Sequence, residues 1–284
     1  DGDGSLQLNA VTAASSGAVE LLVGSSKKAV AAKGGTIKTD SASYADYYVS
    51  DGGAVNFASV DGALSVNLAN GLDSSEEGQK FKGITAVTGG EGSTTLMGAS
   101  AAESLTAGGG NSSLWGAAGK DTLVGGTGKD VFFLGSGDGT DTVVNFATAD
   151  KDEADTLFLM AGITGAKLTS NGVEISVSDS DKAVLKGITA DQAIKFSANG
   201  AEGVAKIGSA SSANNFTYDS TVTYYGGGSK SDKIAFASGS TDNAEIWLDG
   251  SQGKAYASID VVDGTNTSGN LIVAGDSSSQ SIIG

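Results

Sequence analysis

Residues 89–133 divide without a gap into five nine-residue units: GGEGSTTLM, GASAAESLT, AGGGNSSLW, GAAGKDTLV and GGTGKDVFF. The eighth place is always large and apolar (Leu96, Leu105, Leu114, Leu123, Phe132), and the opening places are nearly all Gly or Ala. Six small residues followed by three of β character make a turn and then a very short strand. Gly takes positive φ cheaply in such a turn. The single apolar side chain per unit is the inward member of a period-two strand. One buried Leu in nine residues is no core by itself, so successive units have to stack.

In the last two units the sixth place is Asp, at Asp121 and Asp130. A glycine-rich turn exposes its carbonyls, and one carboxylate per turn adds to the oxygen-only ligand set that suits Ca²⁺. The pattern resembles the G-G-x-G-x-D-x-U-x repeat of the RTX (haemolysin-type calcium-binding) family. The resemblance implies a parallel β-roll in which two units form one coil and calcium sits between turns n and n+2 on one edge. After Phe133, LGSGDGTDTVVNF (134–146) is similar to the family's terminal unit, with Asp141 in the turn and Val143 and Phe146 facing inward. On that pairing Asp121 and Asp141 share an edge, with carbonyls from Gly119 and Gly137, and make the best site. Asp130 with Gly128 faces Gly110, Asn111 and Ser112 two turns earlier, a weaker set with one carboxylate. Glu103 opposite Asp121 is weaker still, and Thr94 brings no charge.

Composition narrows the function classes. The 284 residues include 44 Gly but no Pro, Cys, His or Arg. Average usage would give roughly 14 prolines, and their absence suits stacked strands, whose ladders Pro interrupts. Lacking His and Cys, the chain has no Ser-His-Asp triad, cysteine nucleophile or His-ligated zinc. No phosphate-binding GK[ST] loop occurs. A net charge of −16 argues against nucleic acid and anionic membranes as partners. No apolar run approaches the roughly 18 residues of a membrane-spanning helix. The acidic group Asp150, Asp152, Glu153 and Asp155 reads as a solvated or calcium-edge loop rather than an active site.

A longer repeat surrounds the nonapeptides. GDGSLQLNAV (2–11) aligns with EADTLFLMAG (153–162), and GAVELLVGSSKKAV (17–30) with NGVEISVSDSDKAV (171–184). SVNLANG with GITAVTGG (83–90) resembles EIWLDGS with SIDVVDG (258–264). The expected organisation is a β-rich segment over 1–88, the calcium roll over 89–146, a second β-rich segment over 147–265, and the start of a second, degenerate roll over 266–284. That last stack has Val273 and Ile282 as inward residues, but Leu271 and Gln280 at the sixth places. It would stack yet bind calcium poorly. The duplication predicts a longer natural polypeptide of several modules in series. A short helix is expected within ITADQAIKF (188–196), capped by Thr189 or Asp191. Tyr47-Tyr48 and Tyr224-Tyr225 read as core or cross-strand pairs, with glycan stacking as the alternative. Trp115, at a ninth place, should face outward or sit at a roll end.

The fold class is therefore all-β: an elongated parallel roll flanked by β-rich segments. The functional expectation is a non-enzymatic, secreted, calcium-stabilised structural module of a bacterial surface layer, adhesin or extracellular fibre, self-associating end to end. The alternative is an accessory calcium-binding or polysaccharide-binding module of a secreted RTX enzyme.

Overall fold

The computed structural model describes residues 18–23, 26–31, 33–38, 47–71, 79–209, 212–226, 232–248, 255–257, 259–275 and 280–284. Among them there is no helix, and most strand pairs are parallel. The fold is all-β. The chain forms two compact units: residues 1–133 with 137–145, and residues 134–136 with 146–284.

In the first unit each nonapeptide contributes one short strand, and consecutive strands go to opposite sheets. Thr94–Met97, Ser113–Trp115 and Val131–Leu134 pair in parallel, with Leu96, Leu114 and Phe132 in register. Lys80–Thr88, Ser104–Thr106, Thr122–Val124 and Thr140–Val144 form the other ladder, with Val87, Leu105, Leu123 and Val143 in register. All seven of these side chains are at most 1% exposed. Burial of one such side chain contributes about 1.5–3 kcal/mol, so the stack is held by its repetition. Leu64–Asn67 extends the first ladder, and Tyr47–Asn56 extends the second through a bulged pairing with Lys80–Thr88.

Stacking at this pitch brings turn backbones into contact. A Cβ built on Gly108 would lie 1.5 Å from the carbonyl oxygen of Gly90, and one on Gly126 would lie 1.9 Å from that of Gly108. The second place of these units therefore tolerates only Gly. At the same place in the fourth unit, Ala117 sits at φ +60°, a left-handed conformation that costs a Cβ-bearing residue about 1–2 kcal/mol.

In the second unit the strand Thr156–Leu159 is followed by an antiparallel meander, Gly165–Thr169, Gly172–Ser176 and Lys182–Lys186. Its hairpin Gly172–Ser176/Lys182–Lys186 occupies the sequence aligned with Ala18–Val23/Ser26–Ala31, itself an antiparallel hairpin. The registers differ by one residue: Val19 pairs Val30, whereas Glu174 pairs Val184. Residues 2–11, matched in sequence to 153–162, lie outside the described residues.

Further on, Asn215–Thr217, Asp232–Ala235, Ile259–Asp263 and Ser281–Ile283 form a parallel ladder, and Ala244–Trp247 pairs with Leu271–Ala274. Parallel stacking thus reaches back to Asn215 rather than starting at 266. Phe216, Tyr225, Ile234, Ile246 and Val262 belong to its core, with Leu271 and Val273 packed against it. The helix expected at 188–196 is absent. Ala193–Ala198 is a strand burying Ile194 and Phe196, and Asp191 at φ +63° turns the chain into it. Period-two burial outweighs the capping pattern there.

Tyr48 and Tyr225 are fully buried, leaving no face for a glycan. Tyr48 meets Phe57 edge-on at 5.8 Å and stacks on Phe81 at 5.3 Å, and Tyr225 meets Phe216 edge-on at 5.7 Å. The side chains of Tyr47 and Tyr224 lie outside the described residues.

Two second-place substitutions should act in opposite directions. Gly108→Ala should destabilise the first unit by about 3 kcal/mol or more through backbone overlap, and Ala117→Gly should stabilise it by up to about 1 kcal/mol. Denaturant unfolding of the two variants checks the pair.

Candidate metal centre

A residue two places before the inward apolar one lies on the same face of its strand. The sixth place of each nonapeptide is accordingly buried: Thr94, Glu103, Ser112, Asp121 and Asp130 are all at most 4% exposed. Room for these side chains comes from the first place. A Cβ on Gly116 would lie 2.3 Å from Asp121 Oδ2, and one on Gly98 would lie 3.0 Å from Glu103 Oε2.

The Asp carboxylates reach back to the preceding coil. The Glu103 amide donates to Asp121 Oδ1 at 2.7 Å, and the Ser112 amide donates to Asp130 Oδ1 at 2.8 Å. The Asp121 amide donates to Asp141 Oδ1 at 3.0 Å. The second carboxylate oxygen distinguishes the positions. Asp130 Oδ2 accepts the Gly126 amide at 2.8 Å and Glu103 Oε2 accepts that of Ala99 at 3.2 Å. Asp121 Oδ2 and Asp141 Oδ2 are buried with no hydrogen-bond partner. A buried anionic oxygen left unpaired is costly, and here two of them lie on successive coils of one edge. Hard oxygen donors of this kind fit Ca²⁺.

The family model for the RTX calcium-binding nonapeptide repeat (4 copies) matches residues 97–132 and 106–143. Residues 97–143 carry RTX calcium-binding repeats. No curated protein matches the chain.

The remaining residues expected at the RTX sites have mixed surroundings. Gly119 bridges to Gly139, and its amide donates to the Asp138 carbonyl at 2.9 Å; Gly137 is not its partner. The last coil is two residues longer than the others, which shifts the pairing to an offset of 20. Gly137 stands at φ +88° with open space about it. Asn111 Oδ1 accepts the Lys129 amide at 2.9 Å, and the Gly110 carbonyl accepts the Ser112 hydroxyl at 3.0 Å. A Cβ on Gly128 would lie 2.8 Å from Asn111 Oδ1. Asn111 thus ties one coil to the next, whereas the Ser112–Gly110 bond stays within one turn. No three His, Cys, Asp or Glu side chains converge among the described residues in the manner of a metal cluster. Carbonyls would have to complete any ligand set. In the acidic loop Asp150, Asp152 and Glu153 are exposed. Asp155, by contrast, is buried and accepts the Ala147 amide at 2.8 Å.

Asp138 was not singled out by sequence reasoning, because it falls outside the nonapeptide frame. It is 4% exposed, and its Oδ2 accepts the Trp115 indole N–H at 2.8 Å. Trp115 is thereby tethered rather than fully outward-facing. The only sequence signal for Asp138 is its place between the two turn glycines of the terminal unit.

Burial pushes the carboxyls of Glu103, Asp121 and Asp130 above the ordinary range. Asp141 goes up to about 7, through burial first and then through the charges of Asp121 and Asp138. A carboxyl raised in the folded state favours folding below its unfolded value of 3.8, and that stability is lost as pH rises through about 7. Without calcium, the melting temperature of the first unit should therefore fall from about pH 4 to about pH 8, and Asp141→Asn should flatten the profile. Calorimetry across that range checks it.

Proposed function

We propose that the chain is a structural module of a secreted bacterial surface protein, fibre or adhesin, in which calcium locks the coils over 89–146. The observation that carries the reading is the pair of unpartnered buried oxygens, Asp121 Oδ2 and Asp141 Oδ2, within the RTX repeats. The ion would be held by those two carboxylates together with turn carbonyls, and it would supply the positive charge that the buried pair lacks. Binding free energy then becomes folding free energy, since the ligands come together only in the stacked coils.

Self-association is part of this reading. Ile272, Ile282 and Ile283 are 50%, 57% and 43% exposed on the strands Leu271–Ala274 and Ser281–Ile283. Val273, by contrast, is partly covered by the chain's own core. Strand ends with apolar side chains in the open invite pairing with a further coil, whether of the same polypeptide or of another copy. Ile282→Lys should abolish calcium-dependent growth in light scattering; growth unchanged by the substitution would contradict the end-to-end arrangement.

At calcium near 100 times the dissociation constant, the gain is about 2.7 kcal/mol, which should raise the melting temperature by roughly 5–10 °C relative to chelator. Asp121→Ala or Asp141→Ala should remove most of that rise, whereas Asp130→Ala should leave it largely in place. Melting curves identical in calcium and chelator would sink the proposal.

A further inference from the structure

The turn that carries Asp141 is longer than its neighbours and has little side chain of its own to fix it. Gly137 and Gly139 stand at φ +88° and +90°, left-handed conformations on either side of Asp138. A Cβ on Gly137 would meet nothing within 4 Å. Of residues 136–140, Asp138 alone is buried. It is the buried side chain by which this turn is anchored.

Asp138 is gripped from both ends of the turn that leads into Asp121, a turn that begins where the strand Ser113–Trp115 stops. Near Asp121, the Gly119 amide donates to the Asp138 backbone carbonyl at 2.9 Å. At the far end, the Trp115 indole N–H donates to Asp138 Oδ2 at 2.8 Å. Trp115 stands in register between Met97 and Phe133, and all three are half-buried. Only the indole among them carries an N–H to give. Beyond this grip, Asp141 Oδ1 accepts the Asp121 amide at 3.0 Å. The two turns are thus closed on each other at Asp138 as well as at Asp141. The Asp138 charge is felt at both Asp121 and Asp141, whose carboxyls it helps to raise. Neither Asp138 oxygen is among the buried unpartnered ones, whereas Asp121 Oδ2 and Asp141 Oδ2 are.

We propose that Trp115 and Asp138 form a latch that sets Asp141 opposite Asp121, so that the indole N–H governs calcium affinity without supplying a ligand. The proposal rests on the calcium reading of the first unit. Both are positioning residues, of the kind whose removal commonly costs about 10–100-fold in metal affinity. With the latch closed, the two carboxylates are in place before the ion arrives. With it open, part of the binding free energy goes into ordering the longer turn.

Calorimetric titration of the full chain with calcium chloride tests this, the Asp121/Asp141 event being the one lost in Asp141→Ala. Trp115→Phe keeps a ring and removes the N–H, and should weaken that event by about tenfold or more. Asp138→Ala should do the same. Asp138→Asn, whose amide oxygen still accepts from the indole, should stay within about threefold of wild type. Full affinity in Trp115→Phe or Asp138→Ala overturns the latch. Equal losses in Asp138→Asn and Asp138→Ala also overturn it, since Asp138 would then act through its charge. Hydrogen exchange at saturating calcium separates positioning from folding. There, Trp115→Phe should protect Thr122–Val124 and Thr140–Val144 to within about twofold of wild type. A variant unprotected even in calcium would make the bond a requirement of the fold, against the proposal. If the wild-type chain binds no calcium, or Asp141→Ala loses no event, the calcium reading of that pair fails and the latch falls with it.

Discussion

The constraint on which the first unit depends is the two-residue period of a strand only three residues long. It places the sixth and eighth positions of every nonapeptide on the same inward face. The eighth supplies the core, as Leu105, Leu114, Leu123 and Phe132 do. The sixth is then buried whatever its chemistry, which is why Thr94, Glu103, Ser112, Asp121 and Asp130 are all inaccessible despite their polarity. A carboxylate at that place has to find donors, and the coil before it offers one backbone N–H. Where the turn offers a second, as Gly126 does for Asp130, the group is satisfied by protein alone. Where it does not, as at Asp121 and Asp141, an oxygen is left over. The same place in the fold is thus either closed by protein donors or left with an open oxygen, the one to which the proposed function assigns the ion, depending on one further donor.

The glycines follow from the same constraint. Carbonyl and carboxylate oxygens crowd the turns so closely that a Cβ at Gly108 or Gly116 would overlap them. The sequence therefore spends its small residues where coils touch, and its stability comes from repeating one modest contact rather than from a deep core. A buried row of like charges is a poor arrangement without a counter-charge, so in the proposed function stability and ion binding are coupled through the side chains that define the repeat.

Much of this was legible in the residues. The unbroken nine-residue frame carried the roll, its register and the inward residues, because one apolar side chain per unit leaves a single way to stack. The pairing of Asp121 with Asp141 was also legible, from the terminal unit. The detail of the last turn was less so: two extra residues shift Gly119 to Gly139, and Asp138 comes in from outside the frame to meet Trp115. The second stack was read as starting at 266, although its ladder reaches Asn215. Residues 227–235 keep the frame, but additional residues before 239–247 and again before 255–263 break it, and an uninterrupted period was the signal being followed. The short helix at 188–196 was read from capping residues, whereas the alternation of Ile194 and Phe196 pointed to the strand that forms.

The central claim is that a cation completes the buried oxygens of Asp121 and Asp141. A crystal structure of the chain grown in calcium, with anomalous scattering recorded, tests it most directly. The account predicts an anomalous peak within bonding distance of both Oδ2 atoms, about 2.3–2.6 Å from each, with turn carbonyls completing the shell. Density there for water alone, or two Oδ2 atoms turned onto backbone N–H groups with no anomalous signal, would contradict it.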